Sequence, residues 1–184
     1  MPDRRRCDWA ASTPDYLQYH DVEWGVPIHG DDALYERMCL EAFQSGLSWL
    51  TILRKRENFR AAFAQFDIAA VAEFDEADRQ RLLTDSGIVR NRAKIEAAIT
   101  NARAIRAAVP EGLSTLLWSF APAKQVRPQT MADLVAITPE SKAMAKELKR
   151  RGFAFVGPTT AYALMQATGM VDDHVAYCWR ATPS

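Results

Sequence analysis

Cysteine is scarce in this 184-residue chain, with three in all. An odd number argues against a disulfide framework and leaves burial or metal binding as the roles open to them. Net charge is absent too: 23 acidic and 23 basic residues cancel. That balance counts against a protein that coats nucleic acid indiscriminately, while a local basic face stays compatible with phosphate contacts. No apolar run approaches the roughly 20 residues that span a bilayer. The basic start, "MPDRRRCDWAAS", lacks the apolar stretch of a secretory signal. No membrane partner and a cytoplasmic location are therefore expected. Also missing are a sustained period-2 alternation, internal repeats, low-complexity tracts and an obvious linker. What remains is an ordinary globular composition, 48% hydrophobic and 25% charged, with enough length for one domain and an ample core.

Helical signals run from end to end. Asp31 or Asp32 is placed to cap a helix reaching Phe43, with Leu34, Tyr35, Met38 and Ala42 on one side. After Ser48, Leu50, Leu53 and Phe59 or Phe63 are expected to point inward. "DEADRQRLLTDSG" reads as a short helix closed by Gly87. Ile95, Ile99, Ala102, Ile105 and Val109 repeat at helical period until Pro110 stops them. Thr138, Pro139 and Gly152 give another helix its cap, first residue and stop. Cys39 falls among apolar helix positions and reads as core; His29 lies in a loop with no nameable partner. The fold class is all-α.

Two patterns carry chemistry. The first is the turn "RGFAFVGPTTA", where Gly152, Val156 and Gly157 precede a helix that opens with Pro158. Bare backbone N–H groups at a helix start attract anions, and Lys146, Lys149, Arg150 and Arg151 lead into the same turn. A plain helix connection with a glycine stop explains the same residues. The second is "VDDHVAYC", which sets His174 and Cys178 at a helical spacing, both metal-ligand types.

The hairpin, with Thr160-Ala161 after it and Val171-Asp172-Asp173-His174 a loop later, resembles the helix-hairpin-helix element of base-excision DNA glycosylases. Four stretches, the last of which contains this hairpin, are similar to the 3-methyladenine DNA glycosylase I family: "CDWAASTPDYLQYHDVEWGVP", "LYERMCLEAFQSGLSWLTILRKRENFR", "DSGIVRNRAKIEAAITNA" and "RGFAFVGPTTAYALMQATGMVDDHVAYC". The likeness covers nearly the whole chain and is weakest around 108–135. It implies a helix-hairpin-helix glycosylase-like fold, residues 1–184 as a single glycosylase domain in two helical lobes, and a hairpin at about 152–160.

The resemblance also implies one structural Zn2+ clamping the N- and C-terminal segments, about 7–20 and 174–178, through Cys7, His20, His174 and Cys178. Four protein ligands leave no open coordination position. From the residues alone, the Cys7–His20 spacing is too loose to decide between ligands, a free thiol and a packed imidazole. Glu41 matches the carboxylate that hydrogen-bonds the modified adenine. Tyr19 and Trp49 match aromatic residues of the base pocket, and Trp24 is expected to form another wall. Glu41 lies about 20° around its helix from Leu34, at the margin of the apolar stripe, so position alone favours a surface residue.

The hairpin contacts to DNA fall on Gly152, Val156, Gly157, Thr159 and Thr160. Thr159 stands where strand-cutting relatives carry a lysine, and a threonine forms no Schiff base, so hydrolysis alone is expected. Asp172 departs from the family, whose members usually carry Asn there. It reads either as a cap and partner of His174 or as a catalytic carboxylate. Asp173 is assigned a structural role. The resemblance thus implies a monofunctional DNA glycosylase of base excision repair, acting as a monomer on double-stranded DNA containing 3-methyladenine. The competing readings are a zinc-stabilised DNA- or protein-binding module without catalysis, which has no need of Glu41, Tyr19 and Trp49 together, and a zinc hydrolase, which requires an open metal position.

Overall fold

The computed structural model describes residues 4–181 and has no strand among them. Its α-helices are α1 (Pro14–Val22), α2 (Asp31–Gln44), α3 (Trp49–Ala62), α4 (Ile68–Ala72), α5 (Glu76–Thr84), α6 (Arg92–Ala108), α7 (Leu113–Trp118), α8 (Pro139–Arg150) and α9 (Pro158–Ala167). Most begin on a side chain that accepts an orphan N–H. Thr13 takes Tyr16 N–H for α1, Ser48 takes Thr51 N–H for α3, and Asn91 takes Lys94 N–H for α6. Thr138 and Ser141 close a reciprocal box at α8, with Pro139 in the first position as expected.

The acids opening α2 do something else. This helix starts from Gly30, whose backbone is extended. Asp31 reaches across to accept from Leu113 N and Ser114 N, at 3.1 and 2.8 Å, and so caps α7. Asp32 accepts from Ile68 N, at the start of α4. The expected self-cap is replaced by caps in trans, because these carboxylates sit where two short helices arrive end-on. Likewise α5 ends at Thr84, and Gly87 is not its stop: Gly87 N–H bonds back to the Asp85 carboxylate at 2.7 Å.

The main core joins α2, α3, α4, α6, α8 and α9. Ile95, Ile99, Ala102, Ile105 and Val109 are all buried on the inner side of α6. Ile52, Phe59 and Phe63 are the inward residues around α3, whereas Leu50 and Leu53 are only half-buried. Leu53 packs instead against a second, smaller cluster of Cys7, Tyr19, Trp24, Ala167, Val175 and Cys178. So α3 has two buried sides, which a single-stripe reading cannot resolve. Cys39 lies in the main core, and His29 stacks on Trp118 at 4.3 Å.

Helices α8 and α9 pack on each other around the 151–157 turn. Gly152 takes φ +90°, which ends α8 in the left-handed region, and its missing side chain faces open space. The turn is pinned from below by buried Asn101 of α6, which donates to Ala154 O at 3.1 Å and accepts from Ala154 N at 2.8 Å. The first and last described segments lie side by side. Trp179 N–H donates to Arg5 O at 2.9 Å, and Tyr177 Oη donates to Asp8 at 2.8 Å. Contrary to expectation, His174 and Cys178 do not share a helical turn, because the segment after Gly169 is irregular. Its backbone is claimed by other partners: Ala176 N–H bonds to Pro128 O, and Asp172 N–H bonds to Gln125.

Candidate active site and metal cluster

Helices α1, α2, α3 and α9 converge on a cleft of about 540 Å³. Tyr19 of α1, Trp24 just beyond it, Trp49 at the start of α3 and Glu41 of α2 all line it. The sequence reading named these four and the fold brings them to one place. Tyr19 and Trp49 stand 5.5 Å apart between ring centroids. Trp9, Tyr16, Gln44 and Gln166, which the sequence motifs do not single out, also line the cleft. Signals for two of them existed: Tyr16 lies three residues before Tyr19, and Gln44 three after Glu41, spacings that share a helix face.

Glu41 is 6% exposed, so the motif, not the helix margin, described its position. Among the described residues no group donates a hydrogen bond to its carboxylate. Burial pushes its carboxyl up to about 7, and the charge of Arg37 draws it part of the way back. Arg37 is itself buried. It donates to Tyr19 Oη at 2.9 Å and lies 5.3 and 5.2 Å from the Tyr19 and Trp49 rings. Burial also holds the Tyr19 phenol above its usual range. The result is a flat aromatic enclosure with one unsatisfied acid on its wall. That suits a planar ring bearing N–H donors and positive charge.

Behind the aromatic wall is a buried cluster of Cys7, His20 and Cys178, with ligand atoms within 4.8 Å of one another. Cys178 Sγ is 3.3 Å from His20 Nε2. The His174 ring lies 5.0 Å from that of His20, and its Nε2 is buried with no hydrogen-bond partner among the described residues. Each imidazole has a carboxylate on its other nitrogen. Asp21 Oδ1 is 2.9 Å from His20 Nδ1, and Asp172 Oδ1 is 3.0 Å from His174 Nδ1. Such carboxylates set the tautomer so that Nε2 presents its lone pair. Burial pushes the Cys7 thiol up to about 12, which a cation at Sγ would reverse, since a coordinating thiol is deprotonated outright. Two sulfurs and the His20 Nε2 are a donor set of the kind zinc takes, and His174, expected as a fourth ligand, lies beside these three and not among them. The cluster also buttresses the cleft: His20 meets Trp9 at 5.2 Å, and His174 meets Trp24 at 4.7 Å, both edge-on.

Asp172 sits with the cluster, not among the cleft-lining residues. Its second oxygen accepts from Arg127 at 2.9 Å. Gly152, Gly157 and Thr159 are exposed on the α8–α9 turn, while Val156 and Thr160 are half-buried.

A profile of the methyladenine glycosylase family matches residues 9–181. The chain belongs to that family. Among methyladenine glycosylases it is 46% identical over 177 residues to DNA-3-methyladenine glycosylase 1 of Escherichia coli (strain K12), covering 94% of this chain and 95% of the relative. It is 44% identical over 178 residues to the DNA-3-methyladenine glycosylase of Haemophilus influenzae, covering 94% and 96%. A crystal structure of a 3-methyladenine DNA glycosylase I superimposes with a TM-score of 0.92 at 45% identity, over 97% of this chain and all of the other. A Staphylococcus aureus methyladenine glycosylase, solved to show how it recognises 3-methyladenine, gives 0.90 at 33% identity over 97% of each chain.

Proposed function

We propose that the protein excises 3-methyladenine from alkylated duplex DNA by hydrolysis, without cutting the strand. The observation that carries this reading is the buried, undonated Glu41 carboxylate inside the Tyr19, Trp24 and Trp49 enclosure. An N3-alkylated adenine is cationic in the nucleotide, so it is already a good leaving group. Water bonds to C1′, the C1′–N9 bond breaks, and its electron pair stays on the base, which departs neutral; the water loses a proton. Little acid assistance is needed. The protein's share is to hold the extruded base and to stabilise charge. The aromatic faces attract the cationic ring, worth roughly 0.5 to 2 kcal/mol per contact. Glu41 accepts from the exocyclic amine, and the base's charge favours the ionised carboxylate that burial opposes.

Gly152, Val156, Gly157, Thr159 and Thr160 supply the DNA-binding hairpin in this reading. Support comes from the exposure of the turn and the open space at both glycines. Thr159 offers no amine for a lyase step. Cys7, His20, His174 and Cys178 are assigned to one structural zinc ion, with Asp172 orienting His174 in preference to a role in the bond-breaking step. A monomer acting in the cytoplasm completes the assignment. No helix among the described residues is long and apolar enough to cross a membrane. The test is base release from methylated duplex DNA, followed by a strand assay. Free 3-methyladenine with intact abasic strands is expected. Folded, metal-loaded protein that releases no base would return the reading to a binding module.

A further inference from the structure

Gln166 of α9 lines the cleft that holds Glu41. Its Nε2 donates to Asp173 Oδ2 at 2.7 Å. Asp173 is buried, and it also accepts from Tyr162 Oη at 2.7 Å and from Gln125 Nε2 at 2.8 Å. A carboxylate only accepts, so the nitrogen end of the Gln166 amide must face it. The oxygen end is thereby turned away from Asp173, and no described residue donates to Gln166 Oε1. The Glu41 carboxylate and Gln166 Oε1 are then two acceptors of the cleft-lining residues without donors among the described residues.

Resting on the glycosylase reading of this cleft, we propose that Gln166, locked by Asp173, is a specificity-determining residue that selects a 6-amino purine over a 6-oxo one. A 6-amino group has two N–H bonds, one for each acceptor. A 6-oxo group brings lone pairs against lone pairs and leaves both acceptors desolvated and unpaired, the situation in which a hydrogen-bonding site rejects an analogue strongly. Asp173, which does not line the cleft, acts as a positioning residue.

The network dictates what happens when the lock is reversed. Gln125 is itself fixed, because its Oε1 accepts from Asp172 N at 2.7 Å. In Asp173→Asn the side-chain oxygen must therefore stay toward Gln125 Nε2, and the new amide nitrogen replaces Oδ2. Facing a donor, Gln166 flips and turns its own N–H into the cleft.

The experiment is single-turnover release of 3-methyladenine and 3-methylguanine from methylated duplex DNA by wild type, Gln166→Met and Asp173→Asn, each with its melting curve and metal content recorded. Gln166→Met keeps the length and removes the acceptor. It should lower the preference for 3-methyladenine by roughly ten-fold or more. Asp173→Asn, if folded, should shift the preference further toward 3-methylguanine. An unchanged ratio in Gln166→Met, whatever the absolute rates, overturns the proposal while leaving the glycosylase reading intact. Wild type that releases neither base overturns both.

Discussion

At the scale of single residues, Glu41 concentrates two effects of opposite sign. Removing its charge in Glu41→Gln should slow 3-methyladenine release by roughly 10²-fold, the usual cost of losing one preorganised electrostatic partner. The same change should stabilise the fold. The folded carboxyl titrates near 7 against an ordinary 4.5, so between those values the native state holds more protons than the unfolded chain. Wild-type stability therefore falls as pH rises through that window. The variant lacks this slope and gains on the order of 3 kcal/mol at most above it. Melting curves at pH 5 and pH 8 check this, and parallel shifts in the two proteins would rule out a buried ionising Glu41. Asp172→Ala should behave differently. Release should stay within a few-fold, whereas metal affinity, read by chelator competition, should drop roughly 10- to 100-fold as the His174 ring loses its orienting acceptor. A large loss of release at full metal occupancy would move Asp172 into the reaction.

Helices and turns supply the next scale. The 151–157 turn owes its shape to Gly152 at φ +90° and to the paired Asn101–Ala154 bonds. Asn101→Leu leaves the cleft walls in place and unties the turn. Duplex binding should weaken roughly ten-fold for two lost hydrogen bonds, with free-base binding unchanged. Equal losses in both would place the effect in global folding instead. The sequence announced the helices on either side of this turn, because local caps such as Thr138 and the Ile95–Ile105 periodicity are short-range signals. It could not announce Asn101, Asp31 or Arg37. Each is a polar residue on a helix whose partner lies far away in the chain, and a lone polar side chain in a helical pattern carries no mark of its partner. Glu41, Tyr19, Trp24 and Trp49 were legible only through the motif. Without it, Glu41 reads as a surface residue and Trp24 and Trp49 as core. The expected helical turn at His174–Cys178 failed for the same reason: spacing describes what a helix could align, while Pro128 and Gln125 decide whether a helix forms.

For the molecule as a whole, the cysteine–histidine cluster proposed to hold zinc and the aromatic wall pack together, since His20 and the neighbouring His174 abut Trp9 and Trp24. Stripping the metal with a strong chelator should lower Tm by about 10 °C or more, and it should weaken binding of free 3-methyladenine by the same treatment. A base affinity untouched by complete metal removal would separate the two sites. The placement of the ends has a further consequence. Residue 5 is hydrogen-bonded to residue 179, and Cys7 lies against Cys178, so the first and last described segments nearly close on each other. A linker joining the ends, with a new opening between exposed Val135 and Ala136, should give a circularly permuted protein with the same cleft. An opening confined to this exposed loop should therefore cost the fold little.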